Sequence, residues 1–171
     1  LVGSEMCIRD NPINGLLERI DKGASKKFVI EFKKGADDFF ELDQKGTKVV
    51  VRGNNYVNIA TGINWYLKYY AGIQLSWNGM QAKLPQVLPP VPRKERHETS
   101  LSLRYDFNYC TYSYTMAFWD WERWEKEIDW MAMHGINMPL SITGMEVVWY
   151  NLLKRIGYTT EEINEFISGP A

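Results

Sequence analysis

Residues 101–150 read LSLRYDFNYCTYSYTMAFWDWERWEKEIDWMAMHGINMPLSITGMEVVWY and hold five of the seven Trp residues of the chain. Apolar and polar side chains alternate over residues 101–106, which predicts a short strand. Side chains with polar tips and no apolar periodicity follow at 108–114, and this composition favours a loop. The stretch therefore opens with a strand that leads directly into a polar loop.

A helix is predicted next, because Asp120 can cap it and Gly135 stands just past its end, where a left-handed C-cap is favoured. Its apolar positions step by three and four and are Trp121, Trp124, Ile128, Met131 and Ala132. Residues 136–142 have the apolar character of a strand buried on both faces, and residues 145–156 return to helical spacing. The order of elements is thus strand, helix, strand, helix.

Such repeated units imply parallel strands joined by right-handed crossovers. In a (β/α)₈ barrel the loops after the strands form the active face. Four polar or reactive residues follow the predicted strands, and these are Asn108, Cys110, Tyr114 and Glu146. They are the candidate site residues of the chain.

Three blocks of this region resemble one enzyme family. RYDFNYCTYSYTMAFWDWERWEKEIDWMAMHGIN, TGMEVVWYNLL and TTEEINEFISGPA are similar to the family 89 glycoside hydrolases at the start of their catalytic barrel. RGNNYVNIATGINWYLKYY at 52–70 resembles the domain that precedes the barrel in those enzymes. The expected fold class is therefore α/β, with a small N-terminal α/β domain followed by the first two β/α units of a truncated TIM barrel.

The resemblance implies hydrolysis of terminal, non-reducing α-linked N-acetylglucosamine with retention of configuration. It assigns no catalytic residue to this chain, because the two catalytic glutamates would lie in barrel segments beyond residue 171, so the chain alone is expected to be inactive. It makes Asn108, Cys110, Tyr114 and Glu146 substrate-binding residues. It implies no metal or organic cofactor, and relatives that are exported, periplasmic or lysosomal leave the compartment open.

Each candidate also has a purely structural interpretation. Cys110 could be a small buried hydrophobe, Glu146 could cap the helix that starts there, and Asn108 could hold a strand-to-loop turn. The four Trp residues at 119–130 are expected to pack in a core rather than to stack on sugars. The acidic residues at 122, 125, 127 and 129 are expected to form solvated pairs along the helix.

The chain divides into four segments on composition. Residues 1–10 match neither the family nor the pattern that follows and are interpreted as foreign. Residues 11–84 form the N-terminal domain, the Pro-rich residues 85–92 are a stiff linker, and residues 93–171 begin the barrel. At 171 residues the chain is shorter than the roughly 250 residues of a whole TIM barrel.

Within the N-terminal domain the pattern predicts a helix over 12–20 and a strand over 27–33 with Phe28, Ile30 and Phe32 directed inward. A hairpin follows, with strands at 39–42 and 47–52 and Gly46 between them. Asn54 or Asn55 then caps a helix that Gly72 ends, and this helix should cover one face of the sheet.

Charge and cysteine content exclude several classes of protein. The formal net charge of −1 gives no electrostatic reason to expect nucleic acid as a partner, and no apolar run approaches the roughly 20 residues that span a bilayer. Cys7 and Cys110 form neither a disulfide framework nor a metal-binding spacing. The alternative to a hydrolase is a non-catalytic carbohydrate-binding or interaction module, but such binding modules are usually β-sandwiches, and the β/α order argues against one.

Overall fold

The computed structural model describes residues 11–167, so the segment interpreted as foreign, 1–10, lies outside the described residues. Besides a short 3-10 helix, Ala24–Lys27, six α-helices are present in the described part: α1 Pro12–Ile20, α2 Tyr56–Tyr69, α3 Tyr109–Tyr114, α4 Trp121–Met133, α5 Met145–Arg155 and α6 Thr160–Phe166. The six strands are β1 Phe28–Phe32, β2 Asp38–Lys45, β3 Lys48–Gly53, β4 Glu95–Thr99, β5 Tyr105–Asp106 and β6 Met138–Pro139.

The N-terminal sheet has four strands in the order β1-β3-β2-β4. β2 and β3 pair antiparallel as the predicted hairpin, and β1 lies parallel to β3. The fourth strand, β4, pairs antiparallel with β2, although the sequence places residues 95–99 at the start of the barrel. A strand edge left by β2 is thus covered by chain that comes after the Pro-rich segment.

Helix α2 packs its apolar face on β2 and β3, as predicted, and α1 packs its apolar face against α2 in the same core. Asn11 caps α1 and Asn55 caps α2, each through its side-chain oxygen. α2 approaches the sheet closely at Gly62, where an added Cβ would stand 2.8 Å from Cγ1 of Val51. The Pro-rich segment 85–92 is not free of the domain, because Leu88 and Val91 are buried in the same core.

The prediction that Phe32 is directed into the core is wrong, because its side chain is more than half exposed at the end of β1. Its ring instead packs edge-on against Tyr56, with centroids 4.9 Å apart. Phe28, at the other end of the same strand, is buried and contacts Tyr66 edge-on.

A second sheet consists of β5 and β6, which pair in parallel with Tyr105 opposite Met138 and Asp106 opposite Pro139. Parallel pairing is the arrangement expected of adjacent β/α units. Both strands are far shorter than the patterns at 101–106 and 136–142 predict, and Met138 is exposed rather than buried on both faces. Within residues 11–167 the two strands have no other strand beside them, and this explains the exposure.

The loop predicted at 108–114 is instead the short helix α3. The side-chain oxygen of Asn108 accepts a hydrogen bond from the backbone amide of Thr111 at 3.2 Å, which is the geometry of an N-cap. The polar tips that favour a loop here are therefore compatible with one and a half helical turns, because the cap satisfies an amide that would otherwise be unpaired.

Helix α4 begins and ends as predicted, with Asp120 accepting from the amide of Arg123 and with Gly135 at a φ of 80°. Its inner face is the predicted one only in part, because Met131 is buried as predicted and Ala132 packs against the core. Trp121 and Ile128 are exposed, whereas Glu127 and Asp129 are buried beside Met131 and Met133.

The buried acidic residues of α4 are paired with side chains from the N-terminal part. Arg19 holds Asp129 through two bonds of 2.6 and 2.7 Å, and Glu127 accepts from the indole nitrogen of Trp77 at 2.5 Å. The prediction of solvated pairs is thus wrong for these two residues. It holds for Glu122, which bonds Lys126 at 2.8 Å.

Candidate functional site

The first loop at the carboxyl end of the small parallel sheet begins with an unusual backbone conformation. Phe107 directly follows β5 and has a φ of 75°, which places an aromatic residue in the left-handed region. The carboxylate of Asp106 accepts a hydrogen bond from the amide of Phe107 at 2.8 Å. Strained residues of this kind are concentrated at binding and catalytic sites.

Three of the four predicted site residues lie on this loop and its helix. Asn108 is exposed and uses its side-chain oxygen for the α3 cap. Cys110 is exposed, which excludes the interpretation of it as a buried hydrophobe. Tyr114 is also exposed, and its spacing of four residues from Cys110 places both on one face of α3.

A groove of about 660 Å³ separates α3 from the start of α5. Tyr109, Tyr112 and Ser113 line it from α3, and Thr143 and Glu146 line it from the second loop. Of the four predicted residues only Glu146 lines this groove, whereas Asn108, Cys110 and Tyr114 lie outside its lining.

The groove residues on α3 were missed because 108–114 reads as a loop. Tyr109, Tyr112, Ser113 and Met116 follow a spacing of three and four, which identifies one face once the segment is recognised as helical. The potential of Asn108 to cap a helix was the sequence signal that could have identified this segment as helical. A groove lined by aromatic rings, hydroxyl groups and a carboxylate is chemically suited to sugars, whose hydroxyls need donors and acceptors and whose ring faces are apolar.

Glu146 lies in the first turn of α5, where its charge complements the positive end of the helix. The interpretation of Glu146 as the cap of its helix is wrong, because the N-cap position of α5 is occupied by Gly144, in the left-handed conformation and without a side-chain hydrogen bond. Among the described residues Glu146 is the sole acidic residue lining the groove, so this groove does not contain the pair of carboxylates that glycoside hydrolysis requires.

Residues 11–167 contain no group of three His, Cys, Asp or Glu side chains arranged to hold a metal ion. None of the helices described is both long enough and apolar enough to cross a membrane.

Comparison with known proteins gives a consistent answer along the chain. Residues 11–90 match the family model of the α-N-acetylglucosaminidase N-terminal domain, and residues 104–171 match that of the α-N-acetylglucosaminidase TIM-barrel domain. The human α-N-acetylglucosaminidase is 40% identical over 151 residues, which are 88% of this chain and 20% of the human protein.

Solved structures agree. A family 89 glycoside hydrolase from Clostridium perfringens, in complex with PUGNAc, is 42% identical with a TM-score of 0.88. The same values hold for its complex with 2-acetamido-1,2-dideoxynojirmycin, and in each case the match covers 94% of this chain and 19% of the bacterial chain. The chain thus spans about a fifth of the length of the relatives that it matches.

The fold class is accordingly mixed α/β, with an N-terminal domain followed by part of a TIM-barrel domain. With both parts matched in order and at this identity, the chain belongs to the α-N-acetylglucosaminidases of glycoside hydrolase family 89.

Proposed function

We propose that the chain is the front part of an enzyme that hydrolyses terminal, non-reducing α-linked N-acetylglucosamine. The observation that carries this proposal is the match of residues 11–90 and 104–171 to two consecutive domains of one enzyme. A related bacterial protein, 42% identical, was solved in complex with its substrate GlcNAc-α-1,4-galactose. A glycan ending in α-linked N-acetylglucosamine is therefore the substrate class proposed here.

β5 and β6 are proposed to be the first two strands of the barrel, followed by α4 and α5 as their helices. Their parallel pairing and the crossover through α4 support this assignment. The loops after both strands then lie at the active face, and they carry Asn108, Cys110, Tyr114 and Glu146. In the proposed enzyme these residues supply hydrogen bonds and walls to the sugar pocket.

Retention of configuration requires a nucleophilic carboxylate and an acid/base carboxyl group about 5 to 5.5 Å apart. The nucleophile attacks the anomeric carbon while the acid protonates the leaving oxygen, and water then hydrolyses the glycosyl ester with the second group acting as base. The groove described here presents only Glu146, so both reacting carboxyl groups are proposed to come from barrel segments beyond residue 171. The chain of 171 residues alone is therefore proposed to be inactive.

The test uses the full-length enzyme that carries this chain and an aryl α-N-acetylglucosaminide. Hydrolysis is expected, with α-N-acetylglucosamine as the first product seen by proton NMR before mutarotation. Appearance of the β anomer first would refute retention, and failure to cleave α-linked substrate would refute the proposed activity. The purified 171-residue chain serves as the control and should release no aryl alcohol above background.

A further inference from the structure

Tyr112 is the residue through which the two loops at the active face contact each other, although no role follows for it from the sequence pattern. Its hydroxyl donates a hydrogen bond to the backbone carbonyl of Leu140, the residue directly after β6. Its ring lies 6.3 Å from that of Trp124 at an interplanar angle of 28°. Tyr112 therefore links α3 to both α4 and the end of β6.

Leu140 is held from two sides. Its amide donates to the carbonyl of Asp106 at 3.0 Å, and its carbonyl accepts from Tyr112. The four residues that follow, 141–144, lead to α5, and their turn is closed by the amide of Met145 donating to Ile142 at 3.2 Å. Ser141 and Thr143 are exposed, so the side chains of this short loop contribute little buried surface to hold it in place.

Burial raises the pKa of Tyr112 above its usual value. The hydroxyl is therefore protonated throughout the neutral and acidic range and remains a donor to Leu140. The same ring packs edge-on against Phe107, with centroids 5.9 Å apart, and so supports the left-handed backbone at that residue. Removing the hydroxyl alone leaves this ring packing in place, which makes phenylalanine the informative substitution.

We infer that Tyr112 is a positioning residue of the carbohydrate site, whose hydroxyl fixes loop 141–144 and thereby the place of Glu146 across the groove from α3. Tyr112 and Glu146 line the same groove from opposite sides. The loop between Leu140 and Glu146 is short, so a contact at Leu140 restricts the positions that Glu146 can occupy. The inference rests on the proposed function in so far as Glu146 contacts the sugar.

The test compares Tyr112→Phe with Tyr69→Phe in the full-length enzyme. Tyr69 is an exposed tyrosine of α2 in the N-terminal domain. Tyr69→Phe therefore removes the same hydroxyl group at a position away from the groove. Tyr112→Phe should weaken binding of N-acetylglucosamine and raise KM on the order of tenfold, the loss expected from one hydrogen bond, while kcat changes less. A purely structural role would lower the melting temperature and leave KM unchanged, and that result would overturn the inference.

A double variant tests whether Tyr112 acts through Glu146. Tyr112→Phe and Glu146→Gln should both disturb the contact between Glu146 and the sugar. The double variant should therefore bind N-acetylglucosamine no more weakly than Glu146→Gln alone. Losses that multiply would show that the two residues act independently and would overturn the inference.

Hydrogen exchange separates failure of this inference from failure of the proposed function. The amides of residues 141–145 should exchange about tenfold faster in Tyr112→Phe than in the parent, whatever the enzyme cleaves. Unchanged exchange overturns the inference even in an active enzyme. Faster exchange in an enzyme inactive on α-linked N-acetylglucosamine would refute the proposed function and leave the contact between Tyr112 and the loop standing.

Discussion

Leu42 in β2 and Leu152 in α5 are the same side chain in opposite surroundings. Leu42 is completely buried between the N-terminal sheet and its helices, whereas Leu152 is 46% exposed. The contrast extends to their regions, because the part up to β4 encloses a continuous apolar core while α5 has no buried residue at all. The N-terminal part satisfies its own apolar surface, and the barrel part presents surface that further barrel elements would cover.

Helix α4 joins these two regions and shows the same contrast within one element. Its inner face carries Glu127 and Asp129, which pair with Trp77, Arg123 and Arg19, and its outer face carries the exposed Trp121. Side chains of α2 reach the last turn of α4 as well, since Asn64 donates to the carbonyl of Met133 at 3.1 Å. The barrel start is therefore attached to the N-terminal domain by polar contacts and by Met133, which is fully buried in the apolar core of that domain, while Trp121 on the other side of α4 is exposed.

The largest expected difference between the regions is in the cost of a deleted leucine. Leu42→Ala in the 171-residue chain should reduce the free energy of unfolding by about 2 to 5 kcal/mol, because it leaves a cavity in a packed core. Leu152→Ala is the matched control and should change it by less than about 0.5 kcal/mol. Urea unfolding followed by circular dichroism measures both, and equal losses would show that the barrel part has a core of its own.

The sheet itself should show a distinct pH dependence through Glu41, which is buried in the middle of β2. Burial acts to raise the pKa of this carboxyl, but hydrogen bonds from Lys33, Lys94 and Arg96 outweigh it and hold the pKa at about 2 instead of 4.5. A carboxyl with a lowered pKa in the folded state stabilises the fold above its unfolded value, and this contribution is lost as the pH falls from 4.5 towards 2.

The Glu41 contribution should be on the order of 3 to 4 kcal/mol, given about 1.4 kcal/mol for each unit of pKa. Glu41→Gln should therefore flatten the profile of stability against pH over the acidic range. The control is Glu122→Gln, which removes the same charge from the exposed side of α4 and should leave the profile as it is in the parent. If Glu41→Gln leaves the pH dependence of stability unchanged over the acidic range, the ion pairs of Glu41 do not stabilise the fold in this way.

The attachment of α4 to the N-terminal domain should have a smaller but measurable effect. Arg19→Met leaves the buried carboxylate of Asp129 without its two bonds, so a loss of about 1 to 3 kcal/mol is expected. Lys126→Met breaks an exposed pair on the same helix and should cost less than about 0.5 kcal/mol. If both substitutions cost equally little, the contacts of α4 with α1 do not hold the two regions together.

Local signals in the sequence were sufficient for the helices that carry their own caps. Asn55, Asp120 and Gly135 lie where the sequence predicts them to begin or end a helix, because a cap depends on residues three or four positions away. The hairpin of β2 and β3 depends on similarly short separations and was also predictable. The same logic applied to Asn108 and Thr111 would have identified α3.

The inner face of α4 could not be predicted in this way. Asp129 is buried because Arg19, 110 positions earlier, reaches it, and Glu127 is buried because Trp77 and Arg123 bond to it. Apolar periodicity identifies one hydrophobic face of a helix, but it does not reveal that the charged face packs on a second domain. The lengths of β5 and β6 could not be predicted either, because they depend on neighbouring strands, which a local pattern does not reveal.

The candidate site was predicted in part. The segment predicted as a loop at 108–114 is the helix α3, but Glu146, predicted to follow the second strand, lies in the groove between α3 and the start of α5. Tyr109, Tyr112, Ser113 and Thr143 were not found, since their shared surface depends on α3 being helical and on Leu140 lying close to it. The roles of Asn108, Cys110, Tyr114 and Glu146 in binding sugar stay predictions.

The most direct measurement of the central claim is calorimetric titration of N-acetylglucosamine into the full-length enzyme and its Glu146→Gln and Glu122→Gln variants. Because Glu146 lines the groove and Glu122 lies on α4 outside it, only Glu146→Gln should weaken binding, by about 1.5 to 3 kcal/mol, with its melting temperature near that of the parent. Unchanged affinity in Glu146→Gln together with a loss of about 0.3 to 1 kcal/mol in stability would show that Glu146 only stabilises the first turn of α5 and would contradict the site proposed here.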